Sequence, residues 1–343
     1  QGNGASGPDW HCTNELAISV YAQFVNGCHV KAIDYDTYEN RIKPSKNATP
    51  KEAKQWVLSF VDDNNLLQQC NHDSTIQDII DKGTHSIHVW KKTLQISGGD
   101  LSADKSTIAA LMFDHNTFRD KRDNNPSGVP RIIAPTEYSQ RCTYDLDNKG
   151  CITELNHAMP QQGMKMLGVR RSMSGCFDDE FTFRCRQVSK MAGQIRAAKI
   201  DQRDMLMIMK MRYYPAIRWC LPITTFTNKE CNSIQRPMIN AALPKLGINR
   251  NMPRTVVFGP LRYGGLHILS LSQEQMCKHA KMTLSHLRST SSTGTNLHHA
   301  ISAFQLYIGC EFPFWNENPN DYPYAPDSRT SKISFLWHQL RSI

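Results

Sequence analysis

Between Trp56 and Cys70 the chain reads WVLSFVDDNNLLQQC. Two short apolar runs, WVLSFV and LLQQC, flank four consecutive polar residues, Asp62, Asp63, Asn64 and Asn65. Runs that short, broken by turn-forming residues, read as a strand, a tight turn and a second strand. On either side the period changes from two to about 3.6, which places helices against the hairpin.

One helix is expected from Pro8 to Val25. Ser6 stands as its cap, Pro8 lies in its first turn, and Ala17, Tyr21 and Phe24 recur at helical spacing. The other is expected from Thr75 to Leu94, marked by Ile76, Ile79, Ile80, Ile87, Trp90 and Leu94 and stopped by Gly98-Gly99. Ser106 to Phe113 (STIAALMF) reads as a strand. Residues 114–165 read as a polar insertion with a few short strands. From Asp178 onward the pattern is helical: one helix through Phe183, Val188, Met191, Ile195 and Ala198, a second from Met205 to Tyr214 ending near Pro215, a third from Thr227 to Leu243, and a fourth from about Gln273 to Leu287. The methionines of MLMIMKM, Met205 to Met211, read as core filler. STSSTGT after Arg288 reads as a linker, and the Pro-rich tail as irregular. The organisation expected is thus 1–113, 114–165, 166–290 and a linker and tail over 291–343, in an α+β chain whose second half is mostly helical.

Charge separates the halves. Net charge is +9, yet residues 1–160 carry 16 Lys/Arg against 20 Asp/Glu, whereas residues 161–343 carry 24 against 11. Most of the excess lies between Arg170 and Arg262. A basic module joined to a mildly acidic one points to a polyanion, nucleic acid above all, against the plainer reading of a solvated helical surface. Arg184, Arg186, Lys190, Arg196, Lys199, Arg203, Arg212 and Arg218 are the candidate contacts. No run of 18 apolar residues exists, so no membrane span is expected. Eleven Cys without a C-x-x-C pair fit free thiols in a reducing, intracellular setting. His85, His88, His286, His298 and His299 fall into no metal spacing.

The acidic pair carries the chemistry. Adjacent carboxylates at a hairpin tip repel, and a divalent cation relieves the repulsion; hard oxygen ligands suit Mg²⁺. Two-metal phosphoryl transfer uses carboxylates in this way. A Phe-x-Asp-Asp tetrad alone says little, arising by chance at roughly the 5% level. Asp178-Asp179, after Phe177, read instead as carboxylates at the positive end of a helix. The hairpin around Asp62 and Asp63 therefore has to carry the argument.

Its neighbourhood does so. QGNGASGP at the start of the chain, the Phe60–Asp63 hairpin, and SGGDLSADKS from Ser97 to Ser106 follow one another in an order that resembles the palm of reverse transcriptases. The likeness is greatest to the polymerases of non-LTR (LINE-like) retrotransposons. ALPKLGINRNMPRTVVFGPLRYGGLHI resembles the region after the polymerase in such elements. The resemblance covers most of residues 1–290.

It implies a partial palm, a mixed or antiparallel sheet on helices, followed by a thumb-like helical region. Gln1, Gly2 and Phe60 then lie beside the incoming nucleotide. Asp62 and Asp63 hold Mg²⁺ in a two-ion site, Lys105 can protonate the leaving pyrophosphate, and Leu167-Gly168-Val169 grip the primer end. Implied partners are an RNA template, a DNA primer and nucleoside triphosphates. The family's further metal-binding Asp lies upstream of the Gln-Gly loop. The chain, which opens on Gln1, is thus expected to be a fragment inactive by itself. Two other readings stand beside the polymerase: a non-catalytic nucleic-acid-binding descendant of one, and an unrelated protein with a chance FVDD.

Overall fold

The computed structural model describes residues 6–32, 35–38, 41–44, 51–60, 63–71, 74–96, 98–102, 106–114, 131–133, 143–145, 152–310, 314–322, 325, 328–329 and 331–341. In chain order the elements are α1 (Ser6–Phe24), β1 (Cys28–Ala32), β2 (Tyr35–Tyr38), β3 (Arg41–Pro44), β4 (Lys51–Gln55), β5 (Val57–Phe60), β6 (Asp63–Leu66) and α2 (Ile76–Ile96). Short strands follow: β7 (Thr107–Ala109), β8 (Met112–Asp114), β9 (Arg131–Ile133), β10 (Thr143–Asp145), β11 (Ile152–Glu154), β12 (Asn156–Ala158), β13 (Met164–Met166) and β14 (Val169–Arg171). The rest is helical: α3 (Asp178–Ala197), α4 (Gln202–Ile208), α5 (Tyr214–Arg218), α6 (Asn228–Lys245), α7 (Arg254–Phe258), α8 (Leu271–Leu287), α9 (Ser292–Ile308) and α10 (Lys332–Arg341). The chain is α+β. The described strands form two-stranded pairs, antiparallel except for β7 with β12, rather than one larger mixed sheet.

Two compact units divide it. One gathers Gln1–Arg119, Pro130–Pro160 and Thr290–Glu311; the other gathers Asp120–Val129, Gln161–Ser289 and Phe312–Ile343.

In the first unit, Ala17, Tyr21 and Val25 of α1 and the residue after it meet Val57 and Trp90 in a small buried core. The buried stripe steps from Tyr21 to Val25, four residues on. Phe24, at a spacing of three, falls on its flank and is exposed, contrary to the sequence expectation. The Tyr21 and Trp90 rings meet edge to face at 5.4 Å. The buried Tyr21 hydroxyl shares a hydrogen bond with Ser86 of α2 and accepts one from Gln68 Nε2 at 3.2 Å. α2 spans the range its Ile and Trp spacing predicts. α9 packs on β1 and β4, and Asn296 Nδ2 donates to Gln55 Oε1 at 3.3 Å. The Ser/Thr stretch expected as a linker therefore opens a helix. The Ser291 side chain accepts from the Gly294 N–H as its cap, and Phe304 and Ile308 are buried on one face.

In the second unit, α3 packs against α6, with Val188, Ala192 and Ile195 among the buried residues of the larger core. A capping box starts α6. Thr227 Oγ1 accepts from the Glu230 N–H, and the Glu230 carboxylate accepts from the Thr227 N–H. Between α4 and α5 a π-helical turn, Met209–Tyr213, lets the helix run on past Pro215, where the sequence predicts an end. The Tyr214 N–H reaches back five residues to Met209 O, and the widened turn accommodates the proline ring and its missing donor.

Met205, Met209, Tyr213 and Ile217 are all buried, at strict intervals of four. An α-helix at 3.6 residues per turn would rotate such a series by about 40° at each step; the π turn takes up the excess. Only half of the Met-rich run is core, since Met207 and Met211 are exposed. The tail is also partly helical, with Phe335, Leu336 and Trp337 of α10 buried and Trp337 Nε1 donating to Glu317 O at 2.8 Å. Beneath α10, the fully buried His279 of α8 donates from Nε2 to Thr224 O at 2.6 Å and lies 5.1 Å from the Phe335 ring.

Candidate acidic hairpin and nucleic-acid interface

β5 and β6 form the hairpin the sequence predicts, in the register Val57↔Leu66, Leu58↔Asn65, Ser59↔Asn64 and Phe60↔Asp63. The second strand begins at Asp63, so the connection is shorter than the four polar residues expected: Asn64 and Asn65 belong to the strand, and the segment from Leu67 to Cys70 lies beyond it. Val61 and Asp62, the two residues between the strands, lie outside the described residues, as do Gln1, Gly2 and Lys105. The hairpin's anchorage is at its open end. Val57 is buried against Tyr21 and Trp90, Leu66 packs on the same core, and the Leu67 N–H donates to Trp56 O at 2.8 Å. Among the described residues no group of three His, Cys, Asp or Glu gathers as a metal site.

In the second unit, β13 and β14 form another hairpin. Met166 pairs with Val169, and Leu167-Gly168 make the turn with φ of 50° and 81°. Two positive φ values in a two-residue turn are the pattern that matches strand twist, natural for Gly and costly for Leu. The turn is fastened from outside. Trp219 Nε1 donates to Leu167 O at 2.7 Å, and Arg184 Nη2 donates to Gly168 O at 3.1 Å.

This fixes the role of Arg184, which the sequence places among the nucleic-acid contacts. Its side chain is buried, and its guanidinium makes four hydrogen bonds. Nε donates to Glu180 Oε1 at 2.5 Å, and Nη1 to Ala216 O at 2.7 Å and Gln187 Oε1 at 3.0 Å. Glu180, with no exposed surface, also accepts the Arg170 N–H at 2.8 Å. A charge this deep persists only when paired and hydrogen-bonded. Arg184 is therefore a structural counter-ion and leaves the set of surface contacts. Arg218 is half spent, since it is exposed but ion-paired with Glu274 at 2.5 Å.

The other six candidates are free to act. Arg186, Lys190, Arg196, Lys199, Arg203 and Arg212 are exposed, and none makes an ion pair among the described residues. Arg186 and Lys190 stand one turn apart on α3, away from the buried stripe of Glu180, Arg184, Val188, Ala192 and Ile195. The second acidic pair is structural. Asp178 and Asp179 sit in the first turn of α3; Asp179 accepts from the Gly163 N–H at 2.7 Å, and Asp178 pairs with Arg329 at 2.5 Å.

Sequence reasoning passes over Glu180 and Trp219. The i,i+4 spacing of Glu180 and Arg184 is a legible signal for the first. The reach from Trp219 to Leu167, 52 residues back, has none. No protein-family model, curated protein or solved structure matches the chain. No described helix is long and apolar enough to cross a membrane.

Proposed function

We propose that the chain is part of an RNA-directed DNA polymerase of the non-LTR retrotransposon kind, with a palm-like first unit and a thumb-like second one. The observation that carries this reading is the β5–β6 hairpin. Its register pairs Phe60 with Asp63, the second of two consecutive carboxylate residues in the sequence, beside the connection, and its base rests on the two helices expected to support it. The donor set fits Mg²⁺, which prefers hard oxygen ligands. When bound, the ions would polarise the phosphoryl oxygens; Asp62 and Asp63 would hold them, and Phe60 would lie beside the nucleotide. Arg186, Lys190, Arg196, Lys199, Arg203 and Arg212 would track the phosphates of the primer–template, releasing counterions as they bind.

A non-catalytic nucleic-acid-binding role is favoured over this by one feature only: the six cations, without an ion pair among the described residues, need no metal chemistry to bind a duplex. Primer extension with Mg²⁺, RNA template, DNA primer and nucleotides separates the two, run on this chain and on a version lengthened by its own upstream coding sequence. Extension by the longer version, lost on Asp62→Ala, supports the polymerase. Salt-sensitive duplex binding without extension by either version supports the binding role and removes the catalytic one.

A further inference from the structure

From Cys231 to Gln273 the chain runs 43 residues without one Asp or Glu, while carrying Arg236, Lys245, Arg250, Arg254 and Arg262. Within that stretch lies the turn Pro260–Gly265. Its backbone is held at many points. Gly264 and Gly265 N–H donate to Leu261 O and Pro260 O at 3.0 and 3.1 Å. The chain returning from it is hydrogen-bonded to α7 and Gly259, through Leu266 to Val256 O, His267 to Gly259 O and Ile268 to Val257 O at 2.9, 2.9 and 3.0 Å. Gly264 has φ of 77°, and a Cβ on Gly265 would lie 2.1 Å from Gly259 O, so both positions require glycine.

This frame turns three consecutive side chains outward. Leu261 is 70% exposed, Tyr263 is 75% exposed, and Arg262 is exposed between them. The Arg262 guanidinium lies 4.7 Å from the Tyr263 ring centroid and leaves most of the ring to solvent. An aromatic ring on a rigid projecting turn, beside an arginine and within a stretch of sequence that carries five cations and no carboxylate, has the composition that stacks bases and attracts phosphates. A duplex hides its base faces within its own stack, so the ring can be used only by an unpaired strand.

We infer that the Leu261–Tyr263 turn binds single-stranded nucleic acid, with a base stacked on the exposed ring of Tyr263 and Arg262 beside it drawing in the backbone. This contact is separate from the exposed cations of α3–α5 and does not depend on the polymerase reading.

The test is fluorescence anisotropy on the full chain with three probes: a short oligothymidylate, an abasic strand of the same length, and a duplex. The wild-type chain should bind the oligothymidylate about tenfold tighter than the abasic strand, in line with the worth of one stacked base. Tyr263→Ala should erase that difference and leave duplex binding and the melting temperature unchanged. Tyr263→Phe, which keeps the ring face, should behave as the wild type. Equal binding of base-bearing and abasic strands by the wild type would overturn the inference. So would an unchanged Tyr263→Ala, a Tyr263→Phe as weak as Tyr263→Ala, or a loss of duplex binding and melting temperature in Tyr263→Ala. If duplex binding is absent from the start while Tyr263-dependent strand binding persists, the α3–α5 interface fails and this one stands.

Discussion

The β5–β6 and β13–β14 hairpins have the same design, two short antiparallel strands joined by two residues, yet they are secured at opposite ends. The first is held where its strands enter and leave, by Val57 and Leu66 on the Tyr21–Trp90 core. The second is held at its turn, by side chains that hydrogen-bond both turn carbonyls. The difference follows from what each turn is made of. Leu167-Gly168 leaves polar groups only on the backbone and puts a non-glycine residue at positive φ, so the fold must supply donors there. The other hairpin carries apolar residues at its base, so the core of its unit supplies the anchor there. A hairpin fastened at the tip presents a fixed shape, whereas the described anchors of the other lie in the core beneath its base.

The largest loss is expected from Arg184→Ala. It would leave Glu180 charged and buried with its main partner gone, and would free the Gly168 carbonyl. The expected loss is about 5 kcal/mol of unfolding free energy, at the upper end for one partner of a buried pair. Denaturant unfolding should show it, with protection of the β13–β14 amides lost first. Full stability in Arg184→Ala would mean that the turn holds without its clamp.

For the other hairpin the matching change is Trp90→Ala, which empties the middle of a small core. About 4 kcal/mol should be lost, as for other buried tryptophans. Hydrogen exchange across Val57–Leu66 should accelerate while the β13–β14 amides stay protected.

Acid offers a third discrimination. Burial, with Lys332 nearby as a smaller cause, pushes His279 down from 6.5 to about 4 in the folded state. The folded protein thus favours the neutral ring. Stability from this group is complete above about pH 6.5 and declines as pH falls toward 4. It amounts to on the order of 3 kcal/mol over that window. Melting followed against pH should show the decline in the α8–α10 region, and His279→Gln should flatten it. None of the five buried core residues around the first hairpin titrates in that range.

The smallest expected effect is Trp219→Phe. It removes one hydrogen bond to Leu167 O at an exposed position, and should cost about 1 kcal/mol or less. Its value is diagnostic, since the turn amides should exchange faster while the Arg184–Glu180 pair stays intact.

Much of this was legible before the fold was known. The apolar runs around the acidic pair gave the hairpin, and the isoleucine spacing gave α2, because local pattern and local structure agree there. The Thr227-x-x-Glu230 box marks the start of α6 for the same reason. Other readings failed where distant partners or an irregular turn decide. Arg184 looks like any surface cation until Glu180, Ala216 and Gly168 are seen around it. Pro215 is a helix stop unless a π turn precedes it. The Ser/Thr run before α9 is a linker by composition and a cap by geometry, because β1 and β4 lie ready to receive the apolar face that follows. The carboxylate-free stretch around Tyr263 was visible as letters, but only the backbone frame shows that the ring points outward.

The π turn at Met209–Tyr213 has a consequence for how this helix can vary. Because Met205, Met209, Tyr213 and Ile217 keep their places only through one wide turn, the exposed Lys210 and Met211 between them matter by being counted rather than by what they are. Either can be exchanged for another residue with little loss. Remove one, and the buried series would stand four, three and four apart, which a regular α-helix keeps on one face with a net drift of about 20°. The wide turn would close while Ile217 still faced the core, Arg218 still faced Glu274 and Trp219 still reached the turn it secures. Along this stretch the π turn is the mark of one residue more than a regular helix needs.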